Sequence, residues 1–126
     1  MSPDRSSPAA PSGAEFCVVL VTAPDAAIAA TLGRILVESR TAACANIVPG
    51  VRSLYAWQGE ICDDAEVLLF IKTRRNLFPA VVSLVRENHP YVTPEIIALP
   101  IVSGSQAYLE WIEATTKESA NGEDAS

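Results

Sequence analysis

The sequence predicts one small α/β domain that assembles with copies of itself. Between residues 16 and 117, two stretches each read as strand, helix and strand in turn. The segment that joins them has the pattern of a β-hairpin longer than a domain of this size. Two of the strands are apolar at successive positions, which indicates burial on both faces. These three observations predict the fold class. The strands and helices predicted along the chain agree with it.

Length and composition place the folded part in the middle of the chain. The 126 residues suit a single domain, and 49% of them are apolar, so material for a core is present. Residues 1–15 are rich in Pro, Ser and Ala, and residues 118–126 are small, polar and acidic. We expect both segments to be disordered tails, with residues 16–117 forming the domain.

The first unit begins with a continuous apolar, β-branched run from Phe16 to Val21, typical of a buried strand. A helix follows, with Asp25 in its first turn and its end near Arg40. A second strand begins near Ala43. The apolar face of the helix consists of Ile28, Leu32, Ile35 and Leu36, spaced as i, i+4, i+7 and i+8.

The second strand runs into a hairpin. Pro49-Gly50 predicts a bulge or bend within it, and Gln58-Gly59 predicts the turn. Strands of about 14 residues would be roughly 46 Å long, whereas a 100-residue domain is only about 33 Å across. The hairpin should therefore project beyond its own domain. The alternative is that Pro49-Gly50 is itself a sharp turn and the strands are short.

The second unit completes the fold. The return strand ends near Thr73, Asn76 is a candidate N-cap for the second helix, and Pro90 ends that helix. A fourth strand follows at Ile96–Leu99. Ser105 can cap a last helix, whose apolar face is Tyr108, Trp111, Ile112 and Thr115, with Trp111 expected in the core.

Two βαβ units joined by a hairpin make the ferredoxin-like split βαβ sandwich, here with an extended hairpin and a C-terminal helix. Its sheet carries helices on one face only. The strands at Val18–Val21 and Val67–Ile71 do not alternate apolar with polar residues. The second sheet face therefore needs a cover, and another copy of the chain is the candidate.

Several function classes are disfavoured. The formal charge is −6 and the chain has no run of Lys or Arg, so nucleic-acid binding is not expected. No apolar run approaches the length of a membrane span. Three widely spaced cysteines without a CxxC pair suggest a reduced, cytoplasmic protein. Common enzyme signatures, among them G-x-S-x-G and the P-loop, are missing.

Two residues are candidate metal ligands. His89, the sole histidine, follows a helix end and could bind a metal or transfer protons. It could equally hydrogen-bond the last carbonyls of the helix. Cys44 is a soft ligand of the kind that suits copper, or else a small buried apolar side chain.

Four residues could line a cleft between subunits. Glu66 and Lys72 lie an even number of residues apart on one strand and so share a face. They are either polar groups of a cleft or a surface ion pair. Tyr55 and Trp57 also share a face, and could line a ligand site or form the interface between copies.

Taken together, the motifs of this sequence resemble a known family. They are Ala42-Ala-Cys-Ala-Asn-Ile47, Ser53-x-Tyr-x-Trp-x-Gly59, Glu66 with Ile71-Lys-Thr73, His89-Pro-Tyr91, Thr93-Pro-Glu95-Ile96 and Tyr108-x-x-Trp111. In this order they resemble the CutA divalent-cation tolerance proteins over about residues 16–116. The resemblance implies a ferredoxin-like subunit and a homotrimer shaped like the PII signalling proteins.

The resemblance also implies a function in tolerance of copper or other divalent metal ions, without catalytic turnover. Carried over by position, Cys44 and His89 are the implied metal ligands. The chain departs from some relatives at Val21, where they have a cysteine. The residues implied to line clefts between subunits are Tyr55, Trp57, Glu66, Lys72, Tyr91 and Glu95.

Two other functions remain open from the sequence. One is a PII-like signalling module that binds a small anionic metabolite near Lys72 and acts on an unknown protein partner. The other is an enzyme that uses Cys44 as its nucleophile.

Overall fold

The computed structural model describes residues 15–118. The predicted tails lie outside this range, apart from Glu15 and Glu118. A short 3-10 turn over Arg75–Leu77 precedes the second helix. The elements in chain order are β1 (Phe16–Ala23), α1 (Ala26–Glu38), β2 (Cys44–Trp57), β3 (Glu60–Arg74), α2 (Phe78–Asn88), β4 (Ile96–Pro100) and α3 (Gln106–Thr115).

The four strands form one antiparallel sheet in the order β2-β3-β1-β4. The two central strands are thus the first and the third along the chain, joined through α1 and β2. This is the ferredoxin-like arrangement that the two βαβ units predicted. It leaves β2 and β4 at the sheet edges.

One face of the sheet packs against α1 and α2. Alternate residues of the central strands, Val19 and Val21 on β1 and Leu69 and Ile71 on β3, are fully buried there. The helices contribute a second apolar layer that includes Leu32, Leu36, Val81 and Val85. Asp25 caps α1, because its Oδ1 accepts a hydrogen bond of 2.8 Å from the Ile28 backbone N–H.

The opposite face, here called the open face, carries apolar side chains without a helical layer over its centre. In cross-strand register it consists of Val18, Leu20, Leu68, Phe70, Ile97 and Leu99. Ile97 and Leu99 are 48% and 49% exposed, although both lie within a strand. Within residues 15–118, helix α3 covers one end of this face, where Leu109 and Ile112 pack on Phe16. The predicted apolar second face is therefore present.

The hairpin is as long as the sequence predicted, and the short-strand alternative is wrong. β3 pairs with β1 only over Val67–Arg74, so residues 51–66 form a two-stranded extension, here called the distal ribbon. Gln58 and Gly59 make the turn, both with positive φ. A register shift between Val48 and Val51 marks a bulge at Pro49-Gly50.

Two expectations for individual residues are wrong. Asn76 does not cap α2, because the chain makes a 3-10 turn there and α2 begins at Phe78 with Pro79 in its first turn. The fixed φ of proline suits that position. Trp111 is not a core residue of the protomer: it is 43% exposed, and α3 turns Leu109 and Ile112 towards the sheet instead. Ser105 caps α3 as predicted.

The bulge yields a stability prediction. Gly50 has φ +82°, and a Cβ added there would meet no atom within 4 Å, so the penalty for a side chain is purely conformational. We expect Gly50→Ala to lower the free energy of unfolding by about 1–2 kcal/mol. Gly50→Asn should lower it less, because asparagine tolerates the left-handed region. Urea unfolding at fixed protomer concentration measures both; equal losses would show that the backbone argument is wrong.

Candidate functional site

A cavity of about 760 Å³ lies where the distal ribbon leaves the sheet. Its walls come from the two strands of the hairpin, the end of β1 and the loop between α2 and β4. The residues that line it are Thr22, Arg52, Ser53, Leu54, Tyr55, Trp57, Glu66, Tyr91, Val92, Thr93, Pro94 and Glu95.

The bulge determines which side chains of β2 reach this cavity. Opposite the bulge, two residues of β2 face one residue of β3, so the alternation of β2 side chains shifts by one. Ser53, Tyr55 and Trp57 consequently lie on the same face as Glu66. Without the extra residue they would point to the other side of the ribbon.

His89 holds the loop that closes the cavity. α2 ends at Asn88, and the His89 ring bridges two backbone groups. Its Nε2 lies 2.7 Å from the carbonyl oxygen of Thr22, and its Nδ1 accepts a hydrogen bond of 3.1 Å from the Tyr91 N–H. These two contacts define the neutral tautomer with the proton on Nε2. The ring is buried and fixes the loop to β1.

Two tyrosines of the cavity wall are hydrogen-bonded to carboxylates. The Tyr91 hydroxyl donates to Glu66 Oε2 over 2.9 Å, and the Tyr55 hydroxyl donates to Asp64 Oδ2 over 2.5 Å. Burial, together with the hydrogen bond and charge of Glu66, raises the pKa of Tyr91 to about 12. The hydrogen bond to Asp64 is the largest cause of the raised pKa of Tyr55.

Among residues 15–118, the lining includes a single cationic side chain, and it is already paired. Arg52 donates through Nε and Nη2 to the two oxygens of Asp63, over 2.9 and 2.7 Å. The guanidinium lowers the pKa of Asp63, and both side chains of the pair are exposed to solvent. Glu66 and Glu95 are then the charges of the cavity that no lining cation offsets.

Five of the six residues assigned to the cleft lie around this one cavity: Tyr55, Trp57, Glu66, Tyr91 and Glu95. Lys72 does not. Although it shares a face with Glu66, it lies further along β3, opposite Cys44, and its Nζ donates to Asn46 Oδ1. Sequence reasoning missed Arg52 and Asp64; the even spacing of Asp64 and Glu66 on one strand was the available signal.

The two proposed metal ligands are far apart within one protomer. In the sheet, Cys44 on β2 lies opposite Lys72 on β3, and Lys72 lies opposite Val18 on β1. His89 contacts Thr22, which is further along β1. Val18 and Thr22 are separated by about 13 Å along β1. Sulfur and nitrogen ligands of one zinc-sized ion lie at most about 4.4 Å apart.

Their surroundings differ as well. Cys44 is half-buried, and its thiol donates weakly to Asn46 Oδ1 over 3.4 Å. His89 has both ring nitrogens engaged and could bind a metal only by giving up a hydrogen bond. Within residues 15–118, no three His, Cys, Asp or Glu side chains gather closely enough to hold a metal ion. One protomer alone therefore does not fit a multi-ligand metal centre.

Comparison with known proteins adds the family to this geometry. The family model described as CutA1 divalent ion tolerance protein matches residues 17–115. The divalent-cation tolerance protein CutA of Thermus thermophilus is 50% identical over 99 residues, which are 79% of this chain and 96% of that protein. Human protein CutA is 41% identical over 120 residues, covering 91% of this chain and 67% of its own length.

Solved structures agree with the sequence relatives. The Cut A1 structure from Thermus thermophilus has a TM-score of 0.79 at 48% identity, covering 81% of this chain and 99% of its own. CutA1 from Oryza sativa has a TM-score of 0.80 at 44% identity, covering 86% of this chain and 100% of its own. Among residues 15–118, no helix is long and apolar enough to cross a membrane.

Fold and sequence together define a small ferredoxin-like protein with a long hairpin and a ligand-sized cavity at its base. The chain belongs to the CutA divalent-cation tolerance family, as the motif set indicated. The family model and the Thermus thermophilus relative are named for tolerance of divalent ions rather than for a catalysed reaction.

The Tyr91–Glu66 pair yields a titration prediction. Tyr91 has a folded pKa of about 12 against 10 in the free side chain. It therefore contributes stability that is complete below pH 10 and is lost as the pH rises through about 12. In Glu66→Gln we expect its pKa to fall part of the way towards 10, because burial, the larger cause, remains. Carbon-13 NMR of labelled tyrosine measures this, with Tyr108 as the internal control; an unmoved Tyr91 pKa would contradict the assignment.

Proposed function

We propose that this chain is a homotrimeric divalent-cation tolerance protein of the cytoplasm that acts by binding rather than by catalytic turnover. The observation that carries the proposal is the open face of the sheet. Family membership supplies the tolerance function, and the three free cysteines among residues 15–118 accord with a reducing compartment. The trimer is the assembly that the family resemblance implies.

The open face supports assembly on energetic grounds. A contiguous apolar patch exposed on a stable protein usually marks an interface. Burial of such a surface contributes about 25 cal/mol per Å² of apolar area, and the half-exposed Ile97 and Leu99 would gain most from it. Three copies whose open faces turn towards a common axis would provide the apolar layer that the helices provide on the other side.

The distal ribbon supports assembly as well. A two-stranded hairpin without a covered face is marginally stable in water. Here it carries Leu54 and Ile61, which are 63% and 75% exposed. Contact with a neighbouring copy would stabilise the ribbon and would cover side chains that otherwise invite aggregation.

A single charge on the open face tests the trimer. We expect the wild type to be trimeric and the Leu99→Glu variant to be monomeric. In a trimer, each copy of the variant would have to bury an unpaired carboxylate, at a cost of several kcal/mol. Native mass spectrometry at micromolar protomer concentration measures the change. The protomer should stay folded, since Leu99 is 49% exposed within it.

Val37→Glu is the matched control. Val37 lies on α1, in the helical layer away from the open face, and is 39% exposed. It should leave the trimer intact. A wild-type protein that is monomeric, or a Leu99→Glu variant that remains trimeric, would contradict the proposed assembly.

The proposed metal contact is Cys44, with ligands pooled from more than one copy. Cys44 is half-exposed beside the open face, and thiolate sulfur is a preferred ligand of copper. Tyr108 of α3 interacts with this thiol, which contributes to the raised pKa of Tyr108 after burial. His89 is the weaker candidate because both of its ring nitrogens are engaged.

Copper titration tests the assignment. The metal-free protein should take up copper, Cys44→Ala should lose that uptake, and His89→Ala should keep it. Cys62→Ala is the control, because Cys62 is a second half-buried thiol located on the distal ribbon. Native mass spectrometry counts the bound ions. Unchanged uptake by Cys44→Ala, or equal losses in both cysteine variants, would contradict a site at Cys44.

The signalling alternative receives less support. It required an anionic metabolite in the cleft near Lys72, and Lys72 does not line the cavity. The lining carries two carboxylates, and its one guanidinium is already bound to Asp63. The charge of this cavity therefore disfavours an anion.

A further inference from the structure

The cavity at the base of the ribbon has a composition that points to a class of ligand. Its deepest charged group is Glu66, which is 7% exposed. Among residues 15–118, the hydrogen-bond partner of this carboxylate is a neutral one, the Tyr91 hydroxyl, which contacts Oε2. A buried carboxylate is destabilising unless it is hydrogen-bonded and paired with a cation. Glu66 thus has a hydrogen bond from Tyr91 and lacks a cationic partner in the described lining.

Arg52, the cation of the lining, is not the cationic partner of Glu66, because its guanidinium is bound to Asp63. Arg52 forms a bidentate pair with Asp63, the strong geometry for a guanidinium and a carboxylate. Asp63 itself does not line the cavity. Glu95 adds a second carboxylate to the wall. The cavity therefore has a negative potential. The raised pKa of Tyr91 agrees with this, because nearby carboxylates are its next largest cause after burial.

The remaining walls are aromatic. Tyr55, Trp57 and Tyr91 all line the cavity, and they are 41%, 49% and 36% exposed. The faces of aromatic rings carry negative partial charge and attract cations within about 6 Å of the ring centre. Proteins use aromatic walls to recognise organic ammonium groups. Here the aromatic walls line the same cavity as the buried Glu66 carboxylate.

We propose that this cavity binds an alkylammonium ion, with the ammonium group donating to the Glu66 carboxylate and the alkyl chain lying against Tyr55, Trp57 and Tyr91. A primary ammonium suits the site because it offers several N–H donors to a carboxylate that has one neutral donor at present. A volume of about 760 Å³ accommodates a diamine or a longer polyamine. The inference goes beyond the metal function and does not depend on it.

A divalent metal ion fits the same carboxylates less well. Such an ion takes several oxygen ligands at once, and no three acidic, cysteine or histidine side chains among the described residues converge on one point. The ring faces offer no ligand atoms for it, and the hydroxyls of Tyr55 and Tyr91 already donate to carboxylates. An organic cation uses both the carboxylate and the rings.

Calorimetric titration of the full chain with 1,4-diaminobutane at fixed ionic strength tests the proposal. We expect saturable binding, weakened roughly ten- to a hundredfold in Glu66→Gln, the range of a lost charge-assisted hydrogen bond. Glu113→Gln is the matched control, because it removes one negative charge from the exposed surface of α3 and should change nothing. Trp57→Leu should weaken binding severalfold by removing a ring face.

A variant outside the cavity adds a sharper criterion. Asp63→Asn should release the Arg52 guanidinium beside the cavity and weaken diamine binding, although Asp63 does not line the wall. Cys44→Ala should bind diamine normally, which separates this site from the proposed metal contact. Equal affinity of wild type and Glu66→Gln, tighter binding of citrate than of diamine, or displacement of diamine by Mg²⁺ at matched ionic strength would each overturn the proposal.

Discussion

Side chains of a β-strand alternate strictly between two faces, and this constraint governs the whole hairpin. β2 begins on the sheet, where Cys44 and Asn46 share a face with Phe70, and it ends on a ribbon that has no sheet beside it. The bulge at Pro49-Gly50 shifts the alternation once between these two regions. It also increases the local twist of the strands. The position of Tyr55 and Trp57 on the cavity side of the ribbon follows from that one inserted residue.

The general architecture could be predicted from sequence because it depends on local and periodic signals. Helical spacing, the turn at Gln58-Gly59 and the cap at Ser105 each involve residues close together in the chain. Asn76 was misassigned because a polar residue before a helix suggests a cap, whereas Pro79 in the first turn decided where α2 begins. Trp111 was misassigned because the apolar face of α3 is wide, and burial of Leu109 and Ile112 left the indole outside.

The sequence could group candidate cleft residues but could not give their geometry, and their role in binding stays a prediction. Five residues chosen by resemblance do meet around one cavity. Lys72 was included because an even number of residues separates it from Glu66, which places both side chains on one face of the strand. Six residues of β-strand nevertheless place Lys72 roughly 20 Å from Glu66. The pairing of Arg52 with Asp63 depends on cross-strand register, and it leaves Glu66 and Glu95 without a free cation among the residues described as lining the cavity.

The contacts of His89 have a further consequence. An imidazole with both nitrogens engaged joins the loop before β4 to the backbone of Thr22, at the end of a central strand. Displacement of Tyr91 must therefore break one of these two hydrogen bonds or be transmitted to β1. The same strand presents Val18 and Leu20 to the open face. The loop that closes the cavity is thus anchored, through the His89 ring, to a strand that also forms part of the apolar face.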